Sequence, residues 1–335
     1  MNTVKLWTRN FRLVILASAM GTLGSIVGGF ALAFLVFDET GSTLASALIV
    51  AIQLVPYLLL PILIAPLMDR LPRKAFLVAG DVANAILLAG MGIWLLFFQF
   101  SYVGYLAVSL LLSCLGAIDE LAFTSIYPEL IPKGAEQKGY AVSSMLYPVL
   151  KVIMTPLAAV LLDAIGVAWI LIAQSILSLA AAITESFIHA EKTKQERNMP
   201  YSLQAWGEDI LEAVRYLKKE RGLRSIFGYM AVTNGVSDGF SPILVAFFRT
   251  FPGFTAAMYS AFSVVEFVGR TIGSAMQYKV KIPAKKKFGF TFFVYQFYEA
   301  LDMGLLWLPY PFMLINRGIC GFLGSNSAIL RNAAV

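Results

Sequence analysis

Long apolar runs separated by short polar strings organise this chain from end to end. Ten such runs cover residues 11–37, 43–66, 75–98, 102–123, 139–166, 167–187, 225–248, 254–276, 288–308 and 311–329. Each is close to or above the roughly 20 residues a helix needs to cross the hydrocarbon core of a bilayer. None shows the period-two alternation of a membrane β-strand. Lipid leaves only helices and closed barrels as spanning structures, so the pattern predicts an all-α polytopic membrane protein. One polar stretch, 188–224, separates a six-span part (1–187) from a four-span part (225–335). Within it Trp206, Ile210, Ala213, Val214 and Leu217 fall at helical spacing, followed by Lys218, Lys219 and Arg221. That spacing predicts an amphipathic helix on the inner membrane surface.

Composition agrees and narrows the class. Of 335 residues, 59% are hydrophobic and 14% charged, where a soluble domain is about one-quarter charged. Too little polar surface exists to cover a soluble globule. The net charge of +6 does not point to nucleic acid, because the basic residues sit in short loops beside apolar runs. The N-terminal arm, loops 2–3, 4–5 and 8–9, the linker and the C-terminal end hold 22 of the 26 Lys and Arg residues. The positive-inside rule then places both termini in the cytoplasm. The first apolar run is too long for a signal peptide and is expected to remain as an anchor. Cys114 and Cys320 both lie inside apolar runs, which speaks for free thiols. The single His189 lies in the linker, so no His-based metal site or Ser-His triad is available. No Gly-x-x-x-x-Gly-Lys-Ser/Thr loop for ATP occurs. No enzyme activity and no cofactor are expected.

The two parts show an internal repeat at an offset of about 208 residues. Leu115-Gly116 in span 4 corresponds to Leu323-Gly324 in span 10, and the basic loop 68–74 to the basic loop 276–287. Between spans 2 and 3 the chain reads Ala65-Pro66-Leu67-Met68-Asp69-Arg70-Leu71-Pro72-Arg73-Lys74. This resembles the signature loop of the major facilitator superfamily, Gly-x-Leu-x-Asp-Arg-x-Gly-Arg-Lys, with both glycines replaced, by Ala65 and Pro72. Tyr127-Pro128-Glu129-Leu130-Ile131-Pro132, read as a loop after span 4, is similar to the same family. So is the run from Trp206 through Tyr216-Leu217 to Arg221-Gly222-Leu223. Together they resemble the bacterial exporter branch that includes macrolide-efflux and enterobactin-exporter-like proteins.

The resemblance implies a major-facilitator-like fold of two pseudo-repeated helical bundles, with about ten spans present of twelve. By the repeat, spans 11 and 12 are absent and the chain is expected to be C-terminally truncated. It also implies a cytoplasmic gating loop made by Asp69, Arg70, Arg73 and Lys74, in which Arg73 pairs with an acid of span 4, Asp119 or Glu120. The alternative is that Arg70, Arg73 and Lys74 only set topology.

Charges inside spans cost at least about 2.5–3.5 kcal/mol each on insertion scales, so each needs a reason. Ser144, Tyr147, Lys151 and Thr155 share one face of span 5, with Lys151 about 18 Å deep at 1.5 Å per residue. Asn234, Asp238 and Ser241 share a face of span 7, and Ser263, Glu266, Arg270 and Ser274 a face of span 8. By the resemblance these spans line a central cavity. Lys151, Asn234, Asp238, Glu266, Arg270 and Arg317 are therefore the candidate solute and proton cavity residues. Two structural alternatives stand beside this: neutralisation of Glu266 by Arg270 at i, i+4, and a latch between Lys151 and Asp238. Asp81, Glu299 and Asp302 lie in spans that are peripheral in the family and are read as packing residues. Glu185 is read as solvated at the inner interface. Asp238 or Glu266 is a candidate proton carrier. Against proton coupling, 109–123 holds no basic residue and only Pro148 and Pro156 remain of the antiporter motif of span 5. Gly24-x-x-x-Gly28 and Gly269-x-x-x-Gly273 permit close helix approach.

The sequence thus predicts a secondary transporter moving a small amphipathic or charged solute by alternating access, outward, with coupling to protons open. The expected setting is a bacterial inner membrane, and the expected partners are solute and lipid, with no nucleic acid and a monomeric state. The alternative is a non-transporting scaffold or ligand-binding remnant.

Overall fold

The computed structural model describes residues 5–68, 71–189, 203–222, 224–225, 227–228, 231–232, 244, 247–248, 251–254, 256–280 and 284–332. Among these the regular elements are all helices. Five long helices form the first part: α1 (Arg9–Thr40), α2 (Thr43–Met68), α3 (Arg73–Phe97), α4 (Tyr102–Leu130) and α5 (Glu136–Ser186). The linker carries α6 (Leu203–Lys219), and the second part α7 (Ala256–Lys279), α8 (Ala284–Met303) and α9 (Tyr310–Asn332). A short 3-10 turn, Leu305–Trp307, follows α8.

Helix α5 comprises two spans. Gly166 interrupts it at φ 74° and ψ 169°, a conformation that essentially only glycine adopts. The backbone bends where the apolar pattern divides spans 5 and 6. Helix α4 is longer than the pattern predicts. It runs through Tyr127 and Pro128 to Leu130, so the Tyr-Pro-Glu string is the last turn of a helix rather than a loop. The amide of Ile131 closes that turn on the carbonyl of Pro128.

Among the described residues, six segments are long and apolar enough to cross a membrane: Arg9–Leu32, Ala51–Met68, Arg73–Phe97, Tyr102–Leu130, Glu136–Ala158 and Val160–Ser186. The helices α7, α8 and α9 stand where spans 8, 9 and 10 are expected, but charged residues inside them lower their apolar character. Span 7 falls mostly outside the described residues. Leu58, Ile86, Val103 and Phe293 are largely exposed, as expected where the solvent is lipid.

Contacts divide the chain into two compact units. The first is Met1–Arg197 with Ser274–Phe288 and Ala328–Val335, and the second Asn198–Gly273 with Gly289–Ser327. In the first unit Phe11, Leu77, Ile126 and Tyr127 form one buried cluster and Val36, Leu88, Tyr105 and Leu171 another. The second unit packs around Leu244, Phe248, Phe262, Leu305 and Met313.

Candidate functional site

The first unit encloses a cavity of about 550 Å³. Its wall is polar for a membrane protein. Helix α1 contributes Ser18, Thr22 and Ser25, α2 Gln53 and Tyr57, and α3 Asp81 and Asn84. Helix α4 adds Ser109, Ser113, Asp119 and Glu120, and α5 adds Tyr147, Gln174, Ser178 and Glu185. Small residues let these groups converge. Gly24 and Gly28 of α1 lie directly against the side chain of Gln174, and Gly116 of α4 against the hydroxyl of Tyr57. The glycine spacing in span 1 is therefore a seat for a polar side chain.

Lys151 lies in this unit. Its Nζ donates to the Tyr147 hydroxyl at 2.8 Å and stands 5.1 Å from the centre of that ring. Tyr147 itself lines the cavity. The shared face expected for Tyr147 and Lys151 thus closes as a cation–aromatic pair.

The gating loop differs from the expectation in one partner. Arg73, in the first turn of α3, pairs with Glu129 and donates to the Ser125 carbonyl at 3.0 Å. The acid is neither Asp119 nor Glu120. Because α4 continues to Leu130, Glu129 lies nine or ten residues, about 14–15 Å of helix, closer to the end that faces Arg73. Lys74 donates to the Ser186 carbonyl at the end of α5. Asp119 turns inward instead. A Cβ built on Gly80 of α3 would stand 3.9 Å from Asp119 Oδ1, and that oxygen is buried with no hydrogen-bond partner. Asp69 and Arg70 lie outside the described residues, as do Asn234 and Asp238.

The second unit holds Glu266, Arg270 and Arg317 together. Arg317 Nη2 lies 2.7 Å from Glu266 Oε2, and its Nε donates to the same oxygen at 2.9 Å. Arg270 Nε lies 3.4 Å from Glu266 Oε1, so the i, i+4 pair exists inside a larger network. Asp302 joins it, with Oδ1 3.5 Å from Arg317 Nη1. The Phe262 ring lies 5.1 Å from the guanidinium. Glycines again set the geometry. Gly269 of α7 abuts the carbonyl of Gly318, and Gly321 of α9 abuts the carbonyl of Glu266. Backbones this close bring Arg317 and Glu266 within direct reach.

Sequence reasoning placed Asp302 and Asp81 among packing residues and Glu185 in solvent. Asp302 instead pairs with Arg317, and Asp81 lines the cavity. Glu185 is 5% exposed and also lines the cavity. The available signal was the cost of a mid-span carboxylate, which applies to all acids alike and not only to those in expected cavity helices.

A family model described as Major Facilitator Superfamily matches residues 13–334. Among solved structures, the chain is similar to a variant of the fucose:proton symporter FucP of E. coli. The TM-score is 0.67 and the identity 13%, covering 97% of this chain and 88% of that one. It is equally similar to FucP described as a major facilitator superfamily transporter in the outward conformation, at 14% identity, TM-score 0.67 and the same coverage. At these identities the likeness is one of fold. No curated protein matches the chain.

Proposed function

The chain belongs to the major facilitator superfamily, a family of membrane transporters rather than enzymes, and we propose that it exports a small amphipathic or charged solute by alternating access. The observation that carries the reading is the partly buried charge network of Glu266, Arg317 and Asp302. An arginine held between two carboxylates inside an apolar helical unit is costly. A transporter uses such a group, because charge neutralised by side chains in one state can be neutralised by solute in another.

The exporter assignment follows the motif resemblance, including the loop from Asp69 to Lys74 and the Tyr-Pro-Glu string. In this reading residues 1–187 and 225–335 are the two bundles and 188–224 the cytoplasmic linker. The protein works as a monomer in a bacterial inner membrane with both termini inside. The gating group is Asp69, Arg70, Arg73 and Lys74, with Glu129 added from the structure. The candidate solute residues are Lys151 in the first part and Asn234, Asp238, Glu266, Arg270 and Arg317 in the second. Protons are the coupling ion, a reading supported by the like fold of the fucose:proton symporter.

The test is flux in proteoliposomes containing the purified full chain and a labelled macrolide, with and without an imposed pH gradient. Gradient-dependent movement that falls at least tenfold in Arg317→Ala supports the reading. Folded protein that moves neither the macrolide nor a panel of amphipathic cations and anions overturns it.

A further inference from the structure

Helix α6 (Leu203–Lys219) is sorted both around its axis and along it. Around the axis, Trp206, Ile210, Ala213, Val214 and Leu217 recur at i, i+4, i+7, i+8 and i+11, which gathers them on one face. Glu208, Glu212, Arg215 and Lys219 fall on the opposite side. Packing covers the apolar stripe only in part. Trp206, Ile210 and Leu217 are half-buried, whereas Ala213 and Val214 are exposed, Val214 by 42%.

Along the axis the charges segregate. Glu208, Asp209 and Glu212 occupy the first half, while Arg215, Lys218, Lys219, Arg221 and Arg224 follow with Glu220 as the one acid among them. Helical hydrogen bonds continue past Lys219. The Glu220 amide donates to the Tyr216 carbonyl and the Arg224 amide to the Glu220 carbonyl, both at 3.0 Å. Arg224 Nη1 also reaches back to the Lys218 carbonyl at 3.4 Å. Lys218, Arg221 and Arg224, three residues apart, thereby prolong the side of the helix that carries the apolar stripe. All five cations are exposed, and among the described residues no ion pair engages any of them. The helix dipole favours cations in the last turn, but it gives no reason for a row that extends the apolar stripe. The row ends directly before the apolar run that opens at residue 225. A basic cluster beside a membrane entry point, on a helix with a partly uncovered apolar stripe, is complementary to a bilayer surface carrying anionic headgroups.

We propose that α6 and the basic turn after it form a binding surface for anionic phospholipids. Ala213, Val214 and Leu217 enter the acyl boundary, and Lys218, Arg221 and Arg224 engage headgroup phosphates. Their long apolar stems let the charged ends reach the headgroups while the stripe is inserted. A neutral bilayer would accept the stripe and leave the cations without counter-charge, so docking depends on anionic lipid. The inference needs the membrane setting of the chain and not its export of solute.

The experiment places the full chain in bicelles of phosphatidylcholine alone or mixed with phosphatidylglycerol. A nitroxide on Val214→Cys, in a Cys114→Ala, Cys320→Ala background, is read by its accessibility to oxygen and to a water-soluble nickel chelate. With phosphatidylglycerol at low salt the label should be open to oxygen and closed to nickel. Omitting phosphatidylglycerol, raising salt, or combining Lys218→Gln, Arg221→Gln and Arg224→Gln should return it to the nickel-accessible aqueous phase. Trypsin provides a second readout on the unsubstituted chain. Cleavage after Lys218, Lys219 and Arg221 should slow roughly tenfold or more with phosphatidylglycerol at low salt and recover at high salt. A label at the same depth in both lipids and in the triple variant overturns the proposal, leaving the cations to topology alone. A label closed to both oxygen and nickel also overturns it, because protein then covers the stripe. Cleavage rates indifferent to lipid charge overturn it as well. Both readouts are the same whether or not the chain moves solute, so failure of the export reading leaves them intact.

Discussion

Arg73, in the first turn of α3, is bound to Glu129, in the last turn of α4. Each has the wrong sign for its own helix end. A cation at a helix N-terminus and an anion at a C-terminus both oppose the macrodipole. Pairing them offsets both penalties and ties the two helix ends together. The Arg73 side chain is 20% exposed and that of Glu129 43%, so screening limits the gain to about 0.2–1 kcal/mol. We predict a coupling of this size in a thermal-unfolding double-mutant cycle with Arg73→Ala and Glu129→Ala, shrinking as salt rises. Strictly additive single effects would remove the pair from the account of this face.

Arg317 is the centre of the second unit's charge network. Its side chain is 15% exposed, with Glu266 at 20% and Asp302 at 14%. Removing the guanidinium leaves two partly buried carboxylates facing each other. We predict that Arg317→Ala destabilises the chain by about 3–5 kcal/mol, the range for breaking a buried pair. Glu266→Gln keeps a neutral acceptor for the Arg317 Nε and costs less. Thermal unfolding in detergent distinguishes them, and equal losses would argue against a charge network.

The helical architecture was legible because its cause is local. Every lipid-facing backbone must satisfy itself within one segment, so apolar run length maps directly onto helix length. The break at Gly166 was legible for the same reason. The partner of Arg73 was not. Whether α4 ends at Phe123 or Leu130 depends on packing of Ile126, Tyr127 and Leu130 into the cluster around Phe11 and Leu77, which periodicity does not reveal. Glu266, Arg270 and Arg317 were recognised as costly charges. Their meeting with Asp302 depends on which faces α7, α8 and α9 turn toward one another. The acids Asp81 and Glu185 were discounted because the family pattern gave their spans a peripheral place, while the shape of this unit brings them to its cavity.

Glycines that resemble one another in sequence differ in what stands over them. The atoms nearest a Cβ on Gly28 are those of the terminal amide of Gln174, the far end of a flexible side chain. A Cβ on Gly269 would meet the Gly318 backbone carbonyl, which cannot yield as a side chain does. We predict that Gly28→Ala changes stability by less than about 0.5 kcal/mol. Gly269→Ala should cost about 1–3 kcal/mol through overpacking and should also loosen the Arg317–Glu266 pair. Both values come from thermal unfolding of the full chain, and a reversed order would contradict the packing described for α7 and α9.

The first turn of α5 is tied to the end of α7 through amide groups. Gln137 Nε2 donates to the Gln277 backbone carbonyl at 3.1 Å, to Gln277 Oε1 and to the Val280 carbonyl. Gln137 is 9% exposed and Gln277 fully buried. Losing that donor removes a hydrogen-bond partner from the buried Gln277, at about 1–3 kcal/mol. Gln137→Leu should therefore destabilise the chain by that amount at every pH. Gln137→Glu should behave differently. Its ionised carboxylate is acceptor-only and faces three acceptors, so it is the worse replacement at neutral and alkaline pH. On acidification the carboxyl gains a proton and can donate again, so stability should recover as pH falls. The sign follows from the folded state favouring the protonated side chain. Thermal unfolding of both variants across pH reads this directly. A Gln137→Glu profile parallel to that of Gln137→Leu would mean that the amide donor contributes nothing at this junction.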